Sequence, residues 1–195
     1  MKSTIKRWEL INHLTAKKKP CTYLEIGCRS DKCFNKINAK HKYGVDPQSG
    51  GTHRATSDEF FKDNTMMFDV VFIDGLHLHE QVNKDIENSL QYLNDDGFIV
   101  LHDMLPINEQ DQIEEYDGKS KWNGTVWKSA FDLLRRDDVE LMIGDFDEGC
   151  GVVQKRPNTN QIMLEGNLDW DFYVKNKKLL PVYTYDKLIE RIDEA

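Results

Sequence analysis

Apolar positions along the chain follow two alternating rhythms. Between Thr4 and Leu14 they fall at Ile5, Trp8, Ile11 and Leu14 with charged residues between, the spacing of a helix lying against something larger. Pro20 ends that pattern. Thr22-Tyr23-Leu24-Glu25-Ile26-Gly27 then predicts a strand, Phe34 and Ile37 a short helix, and His41–Asp46 a second strand closed by Pro47 and the turn-rich Gln48-Ser49-Gly50-Gly51. Phe60 and Phe61 open another short helical piece.

The middle of the chain is clearer. Asp69 to Ile73 predicts a continuous apolar strand, and from Glu80 to Leu93 the residues Val82, Ile86, Leu90 and Leu93 share one helical face. Asn94-Asp95-Asp96-Gly97 predicts a turn, after which Phe98-Ile99-Val100-Leu101 runs apolar again and stops on His102-Asp103. Strand, helix and strand in this order form a right-handed crossover, and uninterrupted apolar strands imply a parallel sheet covered on both faces. A helix from Thr125 to Arg135 and strands at Val139–Ile143 and Gly151–Gln154 complete the pattern. The expected fold is α/β: a doubly wound, mostly parallel sheet in a three-layer α/β/α sandwich.

At 195 residues the chain fits one domain. Residues 1–20 would be an N-terminal helix, 21–156 the core and 157–195 an extension, which keeps Trp170, Phe172, Tyr173, Leu179, Leu180 and a helical Leu188-Ile189-Ile192 stripe, too apolar for a free linker. The polar stretch 105–124 is long enough to suggest a lid or substrate loop. With 34 acidic against 26 basic side chains the net charge is −8, which argues against a nucleic-acid partner. Cys21, Cys28, Cys33 and Cys150 form no C-x-x-C pair and read as reduced, near-core thiols. No apolar run is long enough for a membrane span, and the first residues lack a secretory core, so a cytoplasmic protein without a membrane partner is expected. A homo-oligomer stays open.

In an open parallel sheet, ligands bind beyond the carboxyl ends of the strands. Each early strand ends there in chemically useful residues: Glu25-x-Gly27, then Asp46, then Asp74-Gly75, then His102-Asp103. Gly27 allows backbone close to a ligand, but Arg29 and Asp31 stand where the later glycines of a dinucleotide fingerprint would fall, and Asp31 would repel phosphate. Asp46, about 20 residues on, suits a carboxylate that takes both hydroxyls of a ribose. Each feature also has a plain reading as a turn. Together they point to a nucleoside ligand without a need for phosphate binding.

The segments Y-L-E-I-G-C-R-S, G-V-D-P, T-S-D-E-F-F, F-D-V-V-F-I-D-G-L-H, D-G-F-I-V-L-H-D-M-L-P and W-N-G-T-V-W-K resemble, in order over residues 22–154, the class I S-adenosylmethionine-dependent methyltransferases, in particular a small D-G-x-H group associated with O-methylation. The resemblance implies a Rossmann-like methyltransferase fold. It also implies that Glu25 and Gly27 hold the methionine end of S-adenosylmethionine, Asp46 the ribose hydroxyls, and Ser57 and Asp58 the adenine edge, with Asp74 and His77 lining the sulfonium side. Asp31 replaces a frequent glycine, and Thr125 stands where relatives carry an acidic residue.

Methyl transfer asks the protein to align donor and acceptor and to remove the acceptor's proton. His77, His79 and His102 are candidate bases; His77, close to the rim, is chosen as base or orienting group with Asp103 as its partner, while His79 is expected to point away on the new helix. A divalent metal, Mg or Mn, held by Asp74 and Asp103 is the less favoured option: the resemblance to catechol-type O-methyltransferases implies an oxygen ligand where this chain has Met104, and His102, on an extended strand, would face away from Asp103. Trp122 is expected to contact the acceptor and Trp127 to be core; Lys128 could meet an anionic group. The expected function is O-methylation of a small hydroxyl-bearing acceptor such as a sugar. The alternatives are an NAD-dependent oxidoreductase or epimerase and a non-catalytic cofactor-binding subunit.

Overall fold

The computed structural model describes residues 4–116, 118 and 121–194. Seven strands form one sheet: β1 (Thr22–Ile26), β2 (His41–Val45), β3 (Phe68–Ile73), β4 (Leu93–Leu101), β5 (Glu140–Gly144), β6 (Cys150–Gln154) and β7 (Val182–Tyr183), in the spatial order β2-β1-β3-β4-β6-β5-β7. Every pairing is parallel except those of β6, which runs antiparallel to both β4 and β5. The helices are α1 (Arg7–Lys17), α2 (Ser57–Lys62), α3 (His79–Gln91), α4 (Trp127–Arg135), α5 (Trp170–Asn176) and α6 (Tyr185–Asp193). The piece expected at Phe34 is a single 3-10 turn, Phe34–Lys36.

Successive strand residues point to opposite faces, and the two faces bury different helices. Leu24, Ile26, Val71, Ile73, Ile99 and Leu101 pack with Val82, Ile86 and Leu90 of α3, with Trp127, Ala130, Phe131 and Leu134 of α4, and with Phe172 and Tyr173 of α5. Tyr23, Val70, Phe72, Phe98 and Val100 face the other way, onto Leu10, Ile11 and Leu14 of α1 and Leu188 and Ile192 of α6. Both strand faces are apolar because both are covered, which is why the strands read as continuous hydrophobic runs. Cys21, Cys28, Cys33 and Cys150 are buried free thiols.

One expectation is corrected. Asn94-Asp95-Asp96-Gly97 lies inside β4, not in a turn before it: Phe68 pairs with Leu93 and Val70 with Phe98, so these four residues bulge out of register. Their polar groups are met in place, Asn94 Nδ2 donating to Asp69 Oδ1 at 2.7 Å and Asp96 pairing with Lys18, so a turn-like composition suits a strand here. The apolar tail also does more than cover the core. Val182-Tyr183 adds a seventh strand beside β5, with Ile143 N donating to Pro181 O at 2.9 Å.

Candidate active site

β1, β3 and β4 end side by side. Gly27, at φ 90°, has its α-carbon so close to the β3 terminus that a Cβ would lie 2.1 Å from Asp74 O. Only glycine fits that approach. Asp74 N then donates to Ile26 O at 2.9 Å, which fixes Asp74 at the rim next to the end of β1.

Asp103 follows β4 with φ 62°, a left-handed conformation that Asp tolerates better than most side chains. That turn corrects the expectation for His102. On an extended strand it would face away from Asp103; here its Nδ1 lies 2.9 Å from Asp103 Oδ2 and 3.3 Å from Asp74 Oδ1. His77 joins from the segment after β3, Nε2 3.4 Å from Asp74 Oδ1 and Nδ1 3.4 Å from Asp103 Oδ2. Gly124, at φ 59°, backs onto His77 so tightly that a Cβ would sit 2.1 Å from its carbonyl oxygen, to which Thr125 N donates at 2.8 Å. Trp122 stacks on the His77 ring at 4.6 Å and 14°, and Tyr116 on Trp122 at 5.4 Å. The 105–124 segment therefore lies against the site; its residues 117, 119 and 120 are outside the described residues.

Three neighbours escaped the reading of the sequence. Asn123, fully buried, donates from Nδ2 to Asp103 Oδ1 at 2.9 Å and leaves its own Oδ1 without a partner. Asp147, in the turn between β5 and β6, lies 3.8 Å from His102 Nε2. Arg7, the first residue of α1, places Nη1 2.7 Å from His102 Nε2 and 3.0 Å from Asp147 Oδ2, with Nε 3.6 Å from Asp74 Oδ2. The signal for Arg7 was present as a broken local rule: Lys6 and Arg7 put two cations at a helix N-terminus, where the dipole disfavours them.

Electrostatics follow this crowding. Burial would raise the Asp74 carboxyl, but His102, His77 and Arg7 outweigh it and hold Asp74 far below the usual carboxylate range. Burial would lower His77, yet Asp74 and Asp103 raise it. The same carboxylates overcome burial to push His102 up to about 10. The Arg7 contact opposes this: a guanidinium only donates, so the 2.7 Å approach requires a lone pair on His102 Nε2. Two donors cannot share that distance, so with Arg7 seated His102 is neutral and carries its proton on Nδ1, toward Asp103. Glu25, 1 % exposed, is raised to about 7 by burial although Tyr23 OH donates to it at 2.5 Å; Asp74 adds to the rise.

Asp46 is built differently. Its carboxylate accepts the backbone N–H groups of Arg29, Gln48 and Ser49, each at 2.8 Å. Burial is opposed and overcome by these bonds, which lower its pKa. Asp31, at φ 57°, accepts Gly51 N at 2.7 Å, so the loop after β1 is clasped to the loop after β2 by two carboxylates. Ser57 and Asp58, in the first turn of α2, both accept from Gln81 Nε2, at 3.2 and 3.0 Å. The structure thus brings Glu25, Gly27, Asp74, His77 and Asp103 together, while Asp46 is held by the loops after β1 and β2, and Ser57 and Asp58 by Gln81 of α3. His79 points away, as expected, to Asp132 Oδ2 at 2.6 Å, and Trp127 is fully buried core.

One ligand atom each from Asp74, His102 and Asp103 lie within 4.8 Å of one another. Two carboxylate oxygens and an imidazole nitrogen fit a divalent ion such as Mn better than Mg, which prefers oxygen alone.

This sheet order with an antiparallel β6 is a Rossmann-like methyltransferase fold. Solved structures share it: an SAH-bound methyltransferase of Podospora anserina (TM-score 0.59, 15 % identity, 80 % of each chain), an O-methyltransferase of Bacillus cereus in complex with SAH (0.54, 12 %, 76 % of this chain and 81 % of that one), and the O-methyltransferase TomG of Streptomyces achromogenes in complex with SAM (0.55, 13 %, 78 % and 82 %). Residues 34–104 match the family model described as a methyltransferase domain. Over those residues the chain is similar to that family, and its fold is the one these solved methyltransferases share. None of the curated proteins matches it. Among the described residues no helix is long and apolar enough to cross a membrane.

Proposed function

We propose that this chain moves a methyl group from S-adenosylmethionine to a hydroxyl of a small acceptor, sugars among them. The observation that carries this reading is the placement of His77 at the strand ends, flanked by Asp74 and Asp103, with a buried Nδ1 that has no hydrogen-bond partner. When bound, S-adenosylmethionine supplies an electrophilic methyl group. The protein's part is to orient the acceptor and receive its proton: His77 would take it, and Asp74 and Asp103 would stabilise the imidazolium that results. Glu25 and Gly27 would receive the methionine end. Asp46 would meet the ribose with whatever acceptor capacity the three backbone amides leave, and Ser57 and Asp58 would border the adenine.

The raised pKa of His77 sets a direction for pH. A base acts when deprotonated, so transfer should increase as pH climbs through a value above the ordinary histidine range. Calorimetry with S-adenosylmethionine, S-adenosylhomocysteine and NAD tests the cofactor; binding of the first two and not the third is expected, and the reverse would replace this reading with a redox one. His77→Ala should keep cofactor affinity and lose methyl transfer to a panel of hydroxylated acceptors. Unchanged transfer would remove His77 from the reaction, and cofactor binding without transfer by the native chain to any acceptor would favour a non-catalytic subunit.

A further inference from the structure

Arg7 and a divalent metal ion compete for one imidazole. A neutral histidine has a single ring lone pair. In this structure Arg7 Nη1 takes it on His102 Nε2 at 2.7 Å, which places the ring proton on Nδ1, facing Asp103 Oδ2 at 2.9 Å and Asp74 Oδ1 at 3.3 Å. The metal-compatible trio of Asp74, His102 and Asp103 needs the opposite arrangement. Nδ1 is the ring nitrogen that lies among the two carboxylates, and it must give up its proton to bind an ion. The proton would then sit on Nε2 and point at an Arg7 N–H, donor against donor.

We propose that Arg7 is the resident counter-cation of this cluster and that it and a divalent ion exclude one another there, so that metal entry switches the His102 tautomer and withdraws Arg7 from the ring.

Two further observations support this. Arg7 fits the cluster incompletely: its Nε is buried without a hydrogen-bond partner, 3.6 Å from Asp74 Oδ2. Beside Asp103, the fully buried Asn123 keeps an unpartnered Oδ1, and because its Nδ2 faces a carboxylate oxygen that can only accept, the amide cannot be flipped to relieve it. A hard oxygen without a donor is the kind of group a cation uses. Withdrawal also has somewhere to go. Asp147 Oδ2 already accepts the Arg7 backbone N–H and Nη1, both at 3.0 Å, and its Oδ1 binds Lys6 Nζ at 2.7 Å, so the guanidinium can stay on Asp147 while leaving His102.

The proposal stands on the geometry of Arg7, His102 and the carboxylates, and it survives or fails independently of the methyl-transfer reading. The probe is Mn2+ alone, titrated calorimetrically into the full chain and into Arg7→Gln. The variant should bind it at least about tenfold more tightly, and Asp103→Asn in the Arg7→Gln background should abolish that binding. Equal affinity of the native chain and Arg7→Gln, or no binding by either, overturns the proposal. Should Arg7→Gln disturb the fold, the native chain supplies another readout, the nitrogen spectrum of the His102 ring. It should show the Nδ1–H tautomer in the metal-free chain and the Nε2–H tautomer on saturation with a diamagnetic divalent ion, Zn2+. An Nε2–H ring in the metal-free chain, or an unchanged tautomer at saturation, refutes it.

Discussion

Two acidic corners lie along the same carboxyl edge of the sheet, and they are held by opposite means. At Asp46 the carboxylate is fixed by backbone amides from two short loops within about 20 residues of sequence. At Asp74 and Asp103 the carboxylates are held instead by side chains: His77, His102, Asn123 and, from the far end of the chain, Arg7. Backbone donors cannot be exchanged without rebuilding the loop. Side-chain partners can be replaced singly, so the second corner is the one that can be tuned and the one that can be lost.

The sharpest way to break the contrast is Asp103→Ala. It strips the buried His102 and the partly buried His77 of their shared carboxylate and places a β-carbon residue without a polar side chain at φ 62°, and roughly 3–5 kcal/mol of stability should go, measured by urea unfolding. Glu25→Gln should act the other way. The raised Glu25 pKa means that the folded state binds a proton that the unfolded chain releases above its ordinary value near 4.5. Stability therefore falls as pH rises from there to about 7, and the cost is fully present above 7. The glutamine variant should gain on the order of 2–3 kcal/mol at pH 8 and almost nothing at pH 4; a pH-independent gain would show that Glu25 does not titrate.

At the backbone-held corner the effect should be smaller. Asp46→Asn leaves one oxygen for three N–H donors and sets an amide NH2 against one of them, a loss of about 1–3 kcal/mol. Because the native Asp46 pKa is depressed, its contribution is present above the unfolded value near 3.8 and disappears as pH falls through the lower folded value, so native and variant stabilities should converge in acid. Trp122→Ala should cost the least, about 0.5–1.5 kcal/mol from the lost stacking on His77, read by thermal melting together with faster exchange at the His77 ring.

The same contrast explains what could be read from the chain in advance. β3, α3 and β4 were legible because their hydrophobic spacing is local, and the meeting of Asp74 and Asp103 was legible because both stand at the carboxyl ends of neighbouring parallel strands. Asn94–Gly97 misled because turn-forming residues are also compatible with a bulge once Asp69 and Lys18 meet their polar groups. β7 is too short for alternation to register. Lys6 and Arg7 broke a local rule at the start of α1, but nothing in the spacing pointed Arg7 or Asp147 toward the site: an ion pair spanning 140 residues has no spacing rule. The apposition of His102 and Asp103 hinged on a single left-handed residue that no periodicity encodes.

The layer formed by α1 and α6 has a consequence for the order of assembly. Leu10, Ile11 and Leu14 pack in one cluster with Leu188 and Ile192, and Lys17 reaches Asp193 at 2.7 Å. A growing polypeptide leaving the ribosome cannot complete this layer until the α6 segment has emerged, long after the β3-α3-β4 crossover has everything it needs. Closing such long loops is entropically slow, so Arg7 should be among the last groups to dock. Pulse-labelled refolding should therefore protect the amides of β3 and β4 before those of α1.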